Sequence, residues 1–208
     1  MKPETILQQL SNLYSPPKSF LRWKTSLDLT VATILSAQCT DERVNMVTKE
    51  LFKKCRTAQD YCDLSQREFE KLIRPCGTFR VKSKHIKKLC KILINEYKGK
   101  VPRTMEELIE LPGVGRKTAA IILYAGFGKL EGIAVDTHVM RLSQRMGLST
   151  HSTPEKIEKD LMKIIPKKDW GRFNTLMISH GRAVCTARDR KCHKCVFKGE
   201  CPGVLRKS

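Results

Sequence analysis

The protein has 208 residues, with 40 lysines and arginines against 21 aspartates and glutamates, which gives a formal net charge of +19. This length can bury a hydrophobic core without disulfides to hold it, and the excess positive charge indicates a polyanionic partner. No apolar stretch reaches the roughly 20 residues of a membrane-spanning helix, and residues 1–10 lack the apolar character of a signal peptide. We therefore expect nucleic acid as the partner, a cytoplasmic location and no membrane association.

Hydrophobic residues recur at helical spacing along the chain, and no segment sustains the alternation that is typical of a strand. Residues 29–37, LTVATILSA, are apolar on nearly every side, which predicts a helix buried at the centre of a domain. The sequence therefore predicts an all-α protein with short connections. The amphipathic patterns cover residues 6–13, 44–51, 86–97, 157–165 and 170–177.

Residues 104–126, TMEELIELPGVGRKTAAIILYAG, predict two helices joined by a tight turn. The first helix should end at Glu110, and the second should run from Arg116 to about Tyr124. The turn contains Gly113 and Gly115, which tolerate backbone angles closed to other residues and let a ligand approach closely. It is either a plain connection between helices or an anion site made by backbone amides at a helix N-terminus.

Two residues that follow this turn in the sequence are candidates for chemistry. Lys117 stands in the first turn of the second helix, before an apolar run, where partial desolvation would favour a neutral, nucleophilic amine. The alternative is an ordinary solvated surface lysine. Asp136 follows a short apolar stretch and precedes another helix, which predicts a helix N-cap. A carboxylate held in this way could also activate an amine or stabilise a developing cation.

Four of the nine cysteines are concentrated near the C-terminus, with the spacing Cys-x6-Cys-x2-Cys-x5-Cys. This spacing indicates one metal centre with four thiolate ligands, and it leaves zinc and an iron-sulfur cluster as alternatives. The surrounding lysines and arginines would offset the negative charge of a cluster, or they form a solvated basic tail. The four residues are Cys185, Cys192, Cys195 and Cys201.

The order of LPGVGRKTA, VDTH and the four cysteines resembles the endonuclease III family, within the helix-hairpin-helix DNA glycosylases. Residues 34–45, ILSAQCTDERVN, are also similar to a segment of that family. The resemblance implies a six-helix barrel domain at 22–132, with the helix-hairpin-helix at about 104–126. It implies a second domain at 1–21 plus 133–208, with a 4Fe-4S cluster loop at 185–201 and DNA in the groove between the domains.

The resemblance further implies a bifunctional glycosylase and AP lyase that removes oxidised pyrimidines from double-stranded DNA, acting as a monomer in the cytoplasm. Lys117 would form a Schiff base with the flipped nucleotide, Asp136 would assist, and β-elimination would nick the strand. A non-catalytic DNA-binding module and a monofunctional glycosylase are the alternatives. The residues expected to contact DNA are Gln38, which would fill the space of the extruded base, Leu111, Gly113, Gly115 and Arg116 of the hairpin, and Thr78, where the family usually has a wedging leucine.

Overall fold

The computed structural model describes residues 1–205, and all of the regular structure in that range is helical, which confirms the predicted all-α fold. Short 3-10 turns lie at Arg74–Cys76, Lys167–Asp169 and Cys192–Lys194, and a π-helical segment at Ile122–Gly126. None of the helices in this range is long and apolar enough to cross a bilayer. The α-helices are α1 (Pro3–Leu13), α2 (Ser26–Leu35), α3 (Asp41–Lys54), α4 (Ala58–Asp63), α5 (Gln66–Ile73), α6 (Phe79–Tyr97), α7 (Met105–Ile109), α8 (Arg116–Ile121), α9 (Thr137–Arg145), α10 (Pro154–Ile164), α11 (Trp170–Ala183) and α12 (Pro202–Leu205).

The chain divides into two compact units. The middle unit is Ser19–Lys129, and the terminal unit combines Met1–Lys18 with the chain from Leu130 onward. The limits of 22 and 132 that the family resemblance implies each lie three residues after the limits of 19 and 129 found for the middle unit. The helix-hairpin-helix falls in the middle unit, and the four clustered cysteines fall in the terminal unit.

Helix α2 forms the centre of the middle unit. Every residue from Leu29 to Leu35 is buried, because α2 packs against α3, α6, α8 and the π-helical segment. This confirms the prediction that an all-round apolar helix lies inside its domain. Thr25 and Asp28 form a capping box at the start of α2, in which each side chain accepts a hydrogen bond from the other residue's main chain.

The terminal unit buries its core between α1 and the helices α9 to α11. Fully buried members of this core include Ile6, Leu10, Leu142 and Phe173. The N-terminal segment belongs to this unit because its apolar stripe packs against α11, more than 150 residues along the chain. Thr153 precedes α10 as expected, but its side chain makes no capping hydrogen bond.

Candidate functional site

The turn between α7 and α8 is held by its own main chain and by two buried side chains. The N–H of Leu111 donates to the carbonyl of Leu108 at 3.1 Å, and the N–H of Val114 donates to Leu111 at 3.0 Å. Leu111 is only 3% exposed and Val114 only 4%. The Leu111 side chain therefore anchors the turn in the core, and the contact of Leu111 with DNA stays a prediction.

The two glycines of the turn differ in what they require. Gly113 has φ +84°, and a Cβ there would lie 3.2 Å from His85 and 3.4 Å from Ile34. Gly115 is the N-cap of α8 with φ −90°, which any residue adopts, and a Cβ there would meet nothing within 4 Å. Gly113 thus uses the backbone freedom that both glycines have, whereas Gly115 does not. What Gly115 provides is an open, exposed surface at the start of α8.

Arg116 and Lys117 form the exposed first turn of α8. The opposite side of this short helix is buried through Ala119 and Ala120, so the helix is anchored while the two basic side chains face outward. The expected partial desolvation of Lys117 is wrong, because its apolar neighbours point into the core on the other side of the helix. The structure presents Lys117 as an accessible primary amine beside the glycine turn.

Gln38 and Thr78, both expected to contact DNA, share an unusual backbone conformation. Gln38 has φ +52° and Thr78 has φ +40°, and in residues 1–205 the other non-glycine residue with positive φ is Lys98. Such conformations cost on the order of 1–3 kcal/mol each for a residue with a Cβ, and they persist only where the surroundings enforce them. Both side chains are exposed. Gln38 follows the end of α2, and Thr78 immediately precedes α6.

Lys82, which contacts the loops beside Gln38 and Thr78, could not be identified as a functional residue from the sequence pattern. It is 4% exposed, and its ammonium donates to the carbonyls of Leu35 at 2.8 Å, Ala37 at 2.7 Å and Cys76 at 2.5 Å. The sequence does contain an indication that Lys82 is buried, since Lys82 falls on the same face of α6 as the buried Ile86 and interrupts an apolar stripe. A lysine at such a position needs internal hydrogen-bond acceptors.

Asp136 is the N-cap of α9, which confirms the prediction. Its Oδ1 accepts hydrogen bonds from the N–H groups of His138 at 2.9 Å and Val139 at 2.8 Å. The preceding residues Ile133 to Val135 are buried, and the buried Asn174 of α11 donates to the carbonyl of Ala134 at 2.6 Å. The half-buried carboxylate is therefore held by the start of α9, and Asn174 of α11 holds the main chain that leads to it.

The four clustered cysteines line one partly open cavity. Arg145 and Arg190 also line it, and Nη1 of Arg145 lies 3.3 Å from Sγ of Cys185. Burial raises the pKa of the Cys195 thiol, and the three other cysteines raise it further. Among residues 1–205, no three His, Cys, Asp or Glu side chains are arranged to hold a single metal ion. The four thiols thus surround a common cavity but do not converge on a position for one metal ion.

A buried histidine completes the wall of this cavity. His180 lies between the hydroxyl of Tyr14, 3.1 Å from its Nδ1, and Sγ of Cys195, 3.5 Å from its Nε2. Burial lowers the pKa of His180 to about 4 and raises that of Tyr14, so both groups are neutral at physiological pH. When Tyr14 donates to Nδ1, the N–H at Nε2 is directed at the sulfur, which suits a thiolate acceptor.

The family model of the HhH-GPD superfamily base excision DNA repair proteins matches residues 31–167, which is more than half of the chain. The fold and the hairpin thus define a helix-hairpin-helix protein of base excision DNA repair. The sequence is 49% identical to the endonuclease III of Synechocystis sp. over 199 residues, 96% of this chain and 91% of that protein. The chain belongs to the endonuclease III family.

Solved structures of the family agree with this assignment. A trapped covalent endonuclease III-DNA intermediate, an estranged-adenine complex, matches with a TM-score of 0.93 at 41% identity, covering 97% of this chain and 95% of that one. A non-covalent endonuclease III-DNA complex matches with the same TM-score and identity, covering 97% and 94%.

Proposed function

We propose that this protein is a bifunctional DNA glycosylase and AP lyase of base excision repair. Its substrate would be duplex DNA that contains oxidised pyrimidines or abasic sites, and its place of action the cytoplasmic DNA. The observation that carries the proposal is Lys117, an exposed amine in the first turn of the helix after the glycine turn. A relative of 41% identity is known as a trapped covalent intermediate with DNA, and a primary amine is a nucleophile that forms such an adduct.

The proposed reaction of Lys117 with the damaged nucleotide needs no oxidant or reductant. The lone pair of Nζ attacks C1′ of the flipped nucleotide, the bond from C1′ to the base breaks, and the base leaves with that electron pair. The sugar ring opens to a Schiff base, a proton leaves C2′, and its electron pair expels the 3′ phosphate oxygen. Hydrolysis of the Schiff base then returns the free amine.

Asp136 would accept the proton that the amine loses and stabilise positive charge at the sugar. This role is compatible with its N-cap, because a capping carboxylate that uses Oδ1 for two main-chain N–H groups has a second oxygen. Arg116 and the amides around Gly113 and Gly115 would bind phosphates of the DNA backbone. The exposed Gln38 and Thr78 would occupy the duplex where the base has left.

We further propose that Cys185, Cys192, Cys195 and Cys201 hold a 4Fe-4S cluster. The donor set fits, because four sulfurs line a cavity together with two arginines that offset a negatively charged cluster. When bound, the cluster would supply a structural cross-link for the loop at 185–201 rather than a redox step. The Arg145 guanidinium and the neutral His180 would donate hydrogen bonds to its cysteine ligands.

The decisive experiment is borohydride trapping on duplex DNA with a single abasic site or a single oxidised pyrimidine. Wild-type protein should form a covalent adduct, and Lys117→Gln should form none while still binding DNA. Lys88→Gln is the matched control, since Lys88 is also an exposed lysine on a helix of the middle unit. A wild-type protein that forms no adduct would refute the proposal. Base release that needs added alkali for nicking would instead indicate a monofunctional glycosylase, and salt-dependent binding alone a DNA-binding module.

The cluster is tested separately by colour and by metal analysis of the purified protein. A yellow-brown protein with broad visible absorbance, containing iron and acid-labile sulfide in equal amounts, is the expected result. A colourless protein that contains zinc would contradict it.

A further inference from the structure

The buried ammonium of Lys82 joins two separate loops of the middle unit. Its three N–H groups donate to Leu35 and Ala37 at the end of α2, and to Cys76 in the turn before α6. An ammonium has three donors and no acceptor, so these three carbonyls satisfy it completely. The oxygens of Ala37 and Cys76 are therefore no farther apart than the sum of their distances to Nζ, 2.7 Å and 2.5 Å.

These two loops carry Gln38 and Thr78, the two exposed left-handed residues that are expected to contact DNA. Ala37 directly precedes Gln38, and Cys76 lies two residues before Thr78. The main chain of Lys82 also contacts the second loop directly, since its N–H donates to the carbonyl of Thr78 at 3.1 Å. Both loops present carbonyl groups at helix ends, where a cation is favourable.

Two thiols, those of Cys39 and Cys76, also lie close to the ammonium. Burial raises the pKa of the Cys76 thiol and the neighbouring Cys39 thiol raises it further, so the same two loops also come together at these cysteines. Burial lowers the pKa of Lys82, and the two thiols act in the opposite direction. The contact is therefore internal and protected from solvent, and it is specific to the point where the two loops meet.

We propose that Lys82 is a positioning residue that fixes Gln38 and Thr78 in the geometry needed to extrude a base. The inference rests on the proposed glycosylase function. Removing a base from an intact pair requires side chains to enter the duplex in the right place, and a misplacement of about 1 Å can cost on the order of 100-fold in rate. An abasic site has no base to extrude, so nicking there depends much less on the two loops.

Helix α6 contains a matched control in Lys87. Its ammonium also donates to two main-chain carbonyls, Cys62 at 3.2 Å and Leu64, but these lie at the end of α4. If Lys82 only stabilised the fold, its loss would lower base release and abasic-site nicking by the same factor, as the loss of Lys87 would. If Lys82 positions Gln38 and Thr78, its loss lowers base release more than abasic-site nicking, whereas the loss of Lys87 does not, because only Lys82 holds these two loops.

The test compares Lys82→Met and Lys87→Met in two single-turnover assays, base release from an oxidised pyrimidine pair and nicking of a preformed abasic site. For Lys82→Met we expect base release to fall at least about tenfold and abasic nicking to change less than about threefold. For Lys87→Met the ratio of the two rates should equal that of wild type. Equal losses in both assays for Lys82→Met would overturn the inference.

Two exposed substitutions keep the test decisive even if Lys82→Met fails to fold. The Gln38→Ala Thr78→Ala double variant should show the same selective loss of base release, and adding Lys82→Arg to it should cause little further loss. A double variant with unchanged base release would overturn the inference. If wild-type protein performs neither reaction, the proposed function falls and this inference falls with it, whereas an active wild type with equal losses removes the role of Lys82 alone.

Discussion

Gly113→Ala should destabilise the middle unit, because the glycine combines a left-handed backbone with close neighbours. At φ +84° an alanine pays roughly 1–2 kcal/mol for its Cβ. The new methyl would lie 3.2 Å from Cβ and Nδ1 of His85 and 3.4 Å from Cγ2 of Ile34. His85 is exposed and can move, whereas Ile34 is 4% exposed and held inside α2. We expect a net loss of about 2 kcal/mol in the free energy of unfolding, since only part of the crowding can relax.

Gly115→Ala is the matched control, two residues along the same turn. Its φ of −90° suits alanine, and a Cβ there meets nothing within 4 Å. The gain from a less flexible unfolded chain, about 0.4–1 kcal/mol, roughly offsets the weaker N-cap that alanine makes. We expect its stability to stay within about 0.5 kcal/mol of wild type.

The measurement is chemical denaturation of both variants, supported by thermal melts. For a chain of this size a loss of 2 kcal/mol corresponds to a fall of about 4–8 °C in Tm. The Gly113→Ala variant should show this fall, and Gly115→Ala should not. Equal stabilities for the two variants would refute the reasoning, because the distinction rests only on backbone conformation and space at the two sites.

Substitutions at three further positions test the terminal unit. Asp136→Asn should keep the N-cap and its stability but lose nicking, whereas Asp136→Ala should also lose about 1 kcal/mol in denaturation; full nicking by the Asn variant would contradict a role for the carboxylate. Asn174→Ala should cost about 1–3 kcal/mol, because the buried carbonyl of Ala134 loses its donor, and a melt unchanged from wild type would speak against this. Gly181→Ala should destabilise rather than help its helix, since a Cβ would lie 2.7 Å from Nδ1 of His138. A raised Tm would show that the contact relaxes freely.

Features that depend on neighbouring residues in the chain could be predicted from the sequence. The helices, the turn between α7 and α8 and the N-cap at Asp136 follow from apolar spacing and from side chains that bond to nearby main chain. The four cysteines were also predictable as a group, because all four fall within the short segment 185–201. The family motifs are of the same kind, since each is a short run of adjacent residues.

Features that depend on the packing of distant segments could not be predicted in this way. Leu111 is buried because the turn before α8 packs onto the core, and Lys117 is exposed because the other side of α8 meets that core. The difference between Gly113 and Gly115 depends on α2 and α6, which supply the neighbours of Gly113.

Lys82 is the clearest case of a residue whose role depends on the tertiary structure. The sequence by itself determined that this lysine falls on an apolar face of a helix. Only the tertiary structure decided that carbonyls from residues 35, 37 and 76 surround it, because hydrogen bonds between distant loops leave no periodic pattern in the chain. The left-handed angles of Gln38 and Thr78 belong to the same network, since neither residue type favours them and the surrounding structure must enforce them.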